Sequence, residues 1–254
     1  MSVARVVLVS PHFDDVPLSL GQSLTDGFLS AHDVTVVVVF SRTNWTQWFH
    51  PSRATWRIWA VSRLRRMEEA VASRRFGYRV RTLGVPEWML RTGRDDLKGL
   101  FDPTNDPSSD PTVGVVRSLL EPVLDRADAV ALCAAVGHHV DHQVVRQVGI
   151  ELLETAAPPV AFYEDRPYAT LVPPADLAVA GEWIAERSGR EVGVASVSGP
   201  ISSALALRLR RTYPSQIDKV FIAALAADVA ANATERVWVP RGSEAFWPSP
   251  GAAR

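Results

Sequence analysis

The chain has 254 residues, 47% of them hydrophobic and 22% charged, which excludes collagen-like, low-complexity and wholly disordered classes and is enough to enclose a sizeable core. Its 27 Lys and Arg against 28 Asp and Glu give a formal charge of −1, so it has no broad cationic field for gripping nucleic acid or an anionic membrane. Cys133 is the single cysteine. No intrachain disulfide can form, residues 1–10 are too short an apolar run for a secretory signal, and a reducing, cytoplasmic setting is expected. The most apolar stretch, residues 34–40, is far shorter than the ~20 residues of a spanning helix, so no membrane embedding is expected.

In chain order, residues 6–9 and 34–40 are β-branched runs without polar alternation, as in strands buried on both faces of a parallel sheet. A helix is expected over 18–29 between them and another over 55–76 after them. A strand at 79–83 follows. Residues 92–111 are dense in Asp, Pro, Ser and Gly and read as a lid or a disordered excursion. Then come a helix over 112–124, a strand at 130–136, a helix over 143–155 and a strand at 160–163. Beyond residue 170 the expectation is helix 175–188, strand 191–197, helices 202–211 and 215–231, and strand 236–239. This alternation predicts an α/β fold: a Rossmann-like open, mostly parallel sheet with helices on both faces. A single domain is expected, with a catalytic core over about 1–170 and a C-terminal α/β extension over 171–254. Ligands of such sheets bind beyond the carboxyl ends of the strands.

Two clusters fall at that rim. His12, Asp14 and Asp15 stand directly after the first strand, and His138, His139, Asp141 and His142 follow the strand at 130–136. Each has an ordinary alternative: Asp14 or Asp15 could cap the next helix, with Pro17 at its start, and a histidine-rich loop can be merely solvated. Two clusters at equivalent strand ends favour a shared site. His12, Asp15 and His142 would form a site of two imidazoles and one carboxylate with an open position for water, as expected of catalytic zinc. Asp14 and His139 remain for proton transfer.

The run Pro11-His12-Phe13-Asp14-Asp15 followed by a helix, with His139-Val140-Asp141-His142 after a later strand, resembles the PIG-L/LmbE-like zinc-dependent N-deacetylase family. Arg65, Glu68 and Gly77 match that family's Arg-x-x-Glu helix ending in Gly, and the likeness covers about the first two thirds of the chain. Phe13, Val16 and Val140 depart from the usual motifs, as does the turn Ser41-Arg42-Thr43-Asn44, where many members carry a Glu.

The resemblance implies a Zn2+-dependent hydrolase that removes an N-acetyl or other N-acyl group from an amino sugar or a sugar-bearing small molecule. Metal ligands would be His12, Asp15 and His142, with Asp14 the general base. His139 would serve the oxyanion or the leaving amine, its ring oriented and its imidazolium favoured by Asp141. His138 is read as structural. Substrate contacts are expected from Trp45 and Trp48, from Arg42 and Arg65, and from Tyr168, with Glu164 and Asp165 along the far wall. Trp56 and Trp59, three apart, are expected to pack a helix onto the core. Neither nucleic acid nor membrane is an expected partner, and a homo-oligomer is left open. Two histidines and a carboxylate also describe a non-haem Fe(II) oxygenase, although the interleaved helices and Asp14 argue against it. A non-catalytic binding module on the same fold would be expected to have lost Asp14 or a ligand.

Overall fold

The computed structural model describes residues 2–48, 52–155, 158–166, 168–172, 174–232 and 234–248. Strand β1 (Arg5–Ser10) runs into α1 (Asp15–Asp26), followed by β2 (Asp33–Val38), α2 (Thr55–Phe76) and β3 (Arg79–Thr82). Two short helices, α3 (Trp88–Thr92) and α4 (Leu97–Leu100), precede α5 (Thr112–Leu124), β4 (Ala129–Cys133), α6 (Val140–Leu153) and β5 (Val160–Tyr163). The rest is α7 (Tyr168–Leu171), α8 (Pro174–Ser188), β6 (Val192–Ser196), α9 (Ser203–Thr212), α10 (Lys219–Asn232) and β7 (Arg236–Pro240).

The strands form one sheet in the order β3-β2-β1-β4-β5-β7-β6. β1 to β5 pair in parallel, and β7 pairs antiparallel with both β5 and β6. The expected mostly parallel α/β sheet is therefore observed, and β6 and β7 extend that same sheet. Val6, Leu8 and Val9 of β1 and every residue of β4 are fully buried, which requires cover on both faces and explains the unbroken apolar runs. Strand order reverses between β1 and β4, so a crevice opens beyond their carboxyl ends. The segments after Ser10 and Cys133 meet there. Among the described residues no helix is long and apolar enough to cross a membrane.

Tertiary contacts bend α1 away from a regular helix. Leu20 has non-helical angles (φ −132°, ψ 18°), which frees the amides of Gln22 and Ser23 to donate to the Glu235 carboxylate at 2.8 and 2.7 Å. That bond ties the last strand of the chain to the first helix. α2 ends at Gly77, which takes the left-handed conformation (φ +78°) that favours glycine as a helix stop.

Two expectations are corrected. Trp56 and Trp59 do not pack α2 onto the core: they are 69% and 64% exposed, while the buried face carries Val61, Arg65, Glu68, Glu69, Ala72 and Phe76. The charged residues are inside because each finds a partner there, which helical spacing alone does not reveal. Residues 92–111 are not a disordered excursion. They form α4 and a 3-10 turn (Pro107–Ser109). The segment is clamped by Gln143, whose side chain donates to the Asp102 carbonyl (2.8 Å) and accepts from Asn105 (3.0 Å).

Beneath the first loop, the Tyr213 hydroxyl lies 3.0 Å from the Phe13 carbonyl and 2.7 Å from Glu69, and Tyr78 donates to the other oxygen of Glu69 at 2.7 Å. A phenol has one proton, so a protonated Glu69 completes the chain by donating to Tyr213. Burial, partly opposed by the two tyrosine bonds, pushes the Glu69 carboxyl up to about 8. Its folded value lies above the unfolded one, so its contribution to stability is full below about pH 4.5 and is lost as pH rises toward 8. Glu69→Gln should flatten the fall in unfolding free energy between about pH 5 and 8 by ~1 kcal/mol or more, as measured by urea titration at several pH values. Parallel profiles for the two proteins would contradict this.

Candidate metal centre and active site

The loop after β4 turns through three left-handed residues, Ala135 (φ +58°), Gly137 (φ +84°) and His138 (φ +62°). Two of these are not glycine, a strained arrangement that persists only when surrounding contacts fix it. Here the His138 carbonyl accepts from Gln143 at 2.7 Å, and the Val136 amide donates to Asp165 at 3.0 Å. The turn swings His139, Asp141 and His142 toward the end of β1. At that end the Asp15 carboxylate folds back onto the His12 amide (2.7 Å). Asp14 occupies the cap position of α1 but makes no capping bond with its side chain, so the capping alternative does not hold.

Three atoms converge. His12 Nδ1 lies 3.3 Å from His142 Nε2 and 3.3 Å from an oxygen of Asp15, and the same oxygen lies 3.4 Å from His142 Nε2. The far nitrogens of the two imidazoles are both engaged with carboxylates: His12 Nε2 with Asp141 at 3.1 Å and His142 Nδ1 with Asp165 at 2.5 Å. With those nitrogens protonated, His12 Nδ1 and His142 Nε2 turn bare lone pairs toward the Asp15 oxygen. Three acceptors so placed need a positive charge between them. A tetrahedral ion with bonds of about 2.0–2.1 Å has ligand atoms about 3.3–3.4 Å apart, so the triangle fits a metal, and carboxylates behind ligating histidines are the usual support.

The carboxylates around the two imidazoles favour positive charge at this point, whether a proton or a metal ion. Burial disfavours charge on His12, yet bonds to Asp141 and Asp15 outweigh it and raise His12 well above the usual imidazole range; His142 is raised in the same way by Asp15 and Asp165. Burial alone would raise Asp15, but His142 and His12 hold it well below the usual carboxylate range. Cys133, His142 and Asp165 also lie close enough together to share an ion. There, however, Asp165 already bonds His142 and the Val136 amide, and burial and nearby carboxylates push the Cys133 thiol well up, away from the thiolate a metal needs.

Asp14 (8% exposed) accepts from Arg65 at 2.7 Å through one oxygen, while the other takes no hydrogen bond among the described residues. Arg65 is 2% exposed and also faces Glu68 at 3.8 Å. Its guanidinium is thus tied to Asp14, a partner that the substrate expectation did not include, while it still lines the cavity. Asp141 also departs from expectation. Its carboxylate receives His12, the Trp88 amide (3.1 Å) and Arg91 (2.5 Å), whereas its own amide, not its carboxylate, donates to His139 Nδ1 at 3.2 Å. Its charge does favour the imidazolium, but burial and the nearby His12 and His142 charges outweigh it and hold His139 well below the usual range. A neutral His139 that accepts at Nδ1 carries its proton on Nε2.

The centre lies in a cavity of about 270 Å³ whose walls include His12, Asp14, Asp15, Arg65, His139 and Asp141. Trp45 and Tyr168 line it as well, with the Tyr168 ring 5.7 Å from that of His142. Trp48 and Arg42 are exposed but are not part of its wall. Glu164 instead binds Arg236 and Trp238, away from the cavity. Among the residues that line it without having been singled out by the motifs are Glu87, Phe101 and Phe221. Glu87 accepts from the Thr43 hydroxyl at 2.6 Å, and burial pushes it up to about 7.

No family model matches the chain. A deacetylase of 2'-N-acetylparomamine from Streptomyces fradiae is 39% identical over 168 residues, 65% of this chain and 58% of that protein. The chain thus spans less than two thirds of that relative's length. Among solved structures, the zinc-inhibited form of teicoplanin deacetylase Orf2 superposes with a TM-score of 0.65 at 22% identity, covering 94% of this chain and 99% of its own. The N,N'-diacetylchitobiose deacetylase of Pyrococcus horikoshii gives 0.56 at 14% identity, covering 99% of this chain and 88% of its own. The chain is thus similar in sequence to a curated deacetylase over 168 residues and in fold to solved deacetylases. At these identities the solved structures establish the shared α/β architecture.

Asp165→Asn should weaken binding of a divalent metal about 10- to 100-fold by releasing the His142 ring, as measured by competition with a chromophoric chelator on protein of unchanged circular dichroism. Unaltered affinity would contradict the orienting bond.

Proposed function

We propose that this protein is a zinc-dependent hydrolase that removes an N-acetyl or other N-acyl group from an amino sugar or sugar-bearing metabolite. The observation that carries the reading is the triangle of His12 Nδ1, Asp15 and His142 Nε2 at 3.3–3.4 Å, beside an Asp14 that is held by Arg65 and open at its second oxygen. The relative from Streptomyces fradiae and the two solved neighbours described above, deacetylases by name, support it. Two imidazoles and one carboxylate suit zinc, which when bound acidifies a water and polarises an amide carbonyl.

The chain's own residues supply the rest. His12, Asp15 and His142 would hold the ion. Asp14 takes the proton of the attacking water through its free oxygen, and Arg65 fixes the other oxygen so that the base cannot turn away. His139, with Nδ1 occupied by the Asp141 amide, presents Nε2–H to the oxygen on which charge develops. The proton gained by Asp14 then passes to the leaving nitrogen, since an amine departs poorly without it. Burial of the centre keeps bulk water from competing.

Asp14→Asn should leave metal content nearly unchanged and reduce acetate release from N-acetylated amino sugars by ~100-fold or more. Chelation of the wild type should abolish the same activity and added zinc restore it. An Asn variant with wild-type turnover, or turnover indifferent to chelator, would overturn the reading.

A further inference from the structure

The cavity has two unlike ends. At one end is the metal centre; the rest of the wall carries the apolar side chains Trp45, Met89, Leu97, Leu100, Phe101 and Phe221, with Gln47, Gln216 and Asp218 among them. The apolar side chains come from four separate parts of the chain, namely the turn after β2, α3, the segment around α4, and α10. The segment around α4 is the most telling. Residues 92–111 are otherwise polar or small, and their three large apolar side chains, Leu97, Leu100 and Phe101, all line this cavity. Leu97 is 63% exposed and Trp45 is 41% exposed. The Trp45 backbone is pinned at both ends, its amide to the Thr43 hydroxyl (3.0 Å) and its carbonyl to Gln216 (3.3 Å), so the backbone that carries this half-exposed ring is held in place.

The charged groups on and around this wall are already engaged by the protein. The Asp218 carboxylate is taken up by the amides of Val220 and Phe221 at 2.8 and 2.9 Å, Glu87 is bonded to Thr43, and the Arg94 guanidinium lies 5.1 Å from the centre of the Trp88 ring. Hydroxyls of a free sugar set against the apolar part of the wall would lack partners, at a cost in binding.

We propose that this apolar part of the wall is a binding site for the aglycone of the substrate, and that the amino sugar acted on is joined to a neutral, flat, apolar group such as an aromatic ring. The inference rests on the deacetylase reading for the chemistry at the metal centre. With the amide carbonyl at the buried centre, the small acyl group stays inside and the sugar's substituent emerges between Trp45 and Leu97, where stacking and burial stabilise it.

The test compares acetate release by the zinc-loaded enzyme from three β-glycosides of N-acetylglucosamine: phenyl, methyl and aminoalkyl. A separate measurement is saturation-transfer NMR with phenyl β-glucoside, which has no amide. The phenyl compound should exceed the methyl about tenfold or more in kcat/KM, through KM, and the aminoalkyl compound should gain nothing. In the double variant Trp45→Ala, Leu97→Ser the phenyl-to-methyl ratio should fall toward one, and saturation transfer to the phenyl protons should disappear. Equal kcat/KM for phenyl and methyl, preference for the aminoalkyl compound, or no saturation transfer in the wild type would overturn the aglycone site. Phenyl binding with no acetate from any glycoside would support the apolar wall as an aryl site and sink the deacetylase reading instead.

Discussion

Three lone pairs aimed at one point are the constraint on which this molecule is organised. His12 Nδ1, an Asp15 oxygen and His142 Nε2 stand within 3.4 Å of one another, a placement that repels itself unless a cation lies between them. The surroundings keep the groups from swinging apart. Asp141 and Asp165 hold the two rings from behind, the His12 amide holds Asp15, and strained turns at Ala135 and His138 set the approach of the second cluster. Buried carboxylates are costly unless paired, and at this centre each one is paired with a cation, an imidazole or an amide.

The sheet makes that convergence geometrically cheap. Because strand order reverses between β1 and β4, their carboxyl ends open side by side, and two segments about 130 residues apart in sequence meet without any long excursion. The later part of the chain supports the same place from below. Tyr213 reaches the Phe13 carbonyl, Ser215 engages Glu68 on α2, and Glu235 binds the freed amides of α1. The C-terminal elements therefore brace the loop that carries His12 and Asp14, a structural reason for a segment with no ligand of its own.

Much of this was legible in the sequence. The unbroken β-branched runs at 6–9 and 34–40 identify strands buried on both faces, and α2 and α5 begin and end where helical spacing places them. The pairing of His12 and Asp15 with His142 follows from the positions of two motifs at strand ends. Partner choice was not legible. Arg65 turns inward to Asp14, Asp141 serves His12 in place of His139, and Asp165 backs His142. Each of these depends on which side chain lies opposite after folding, and spacing along one element does not encode it. The same holds for Trp56 and Trp59, whose three-residue interval suits either face of a helix; the inner face went to charged residues with buried partners.

The most direct test is anomalous diffraction at the zinc absorption edge from crystals grown with stoichiometric zinc. A single peak bonded to His12 Nδ1, an Asp15 oxygen and His142 Nε2 at about 2.0–2.2 Å is the predicted result. A peak against Cys133 Sγ, or density in which the imidazoles of His12 and His142 turn away from a common point, would contradict the account.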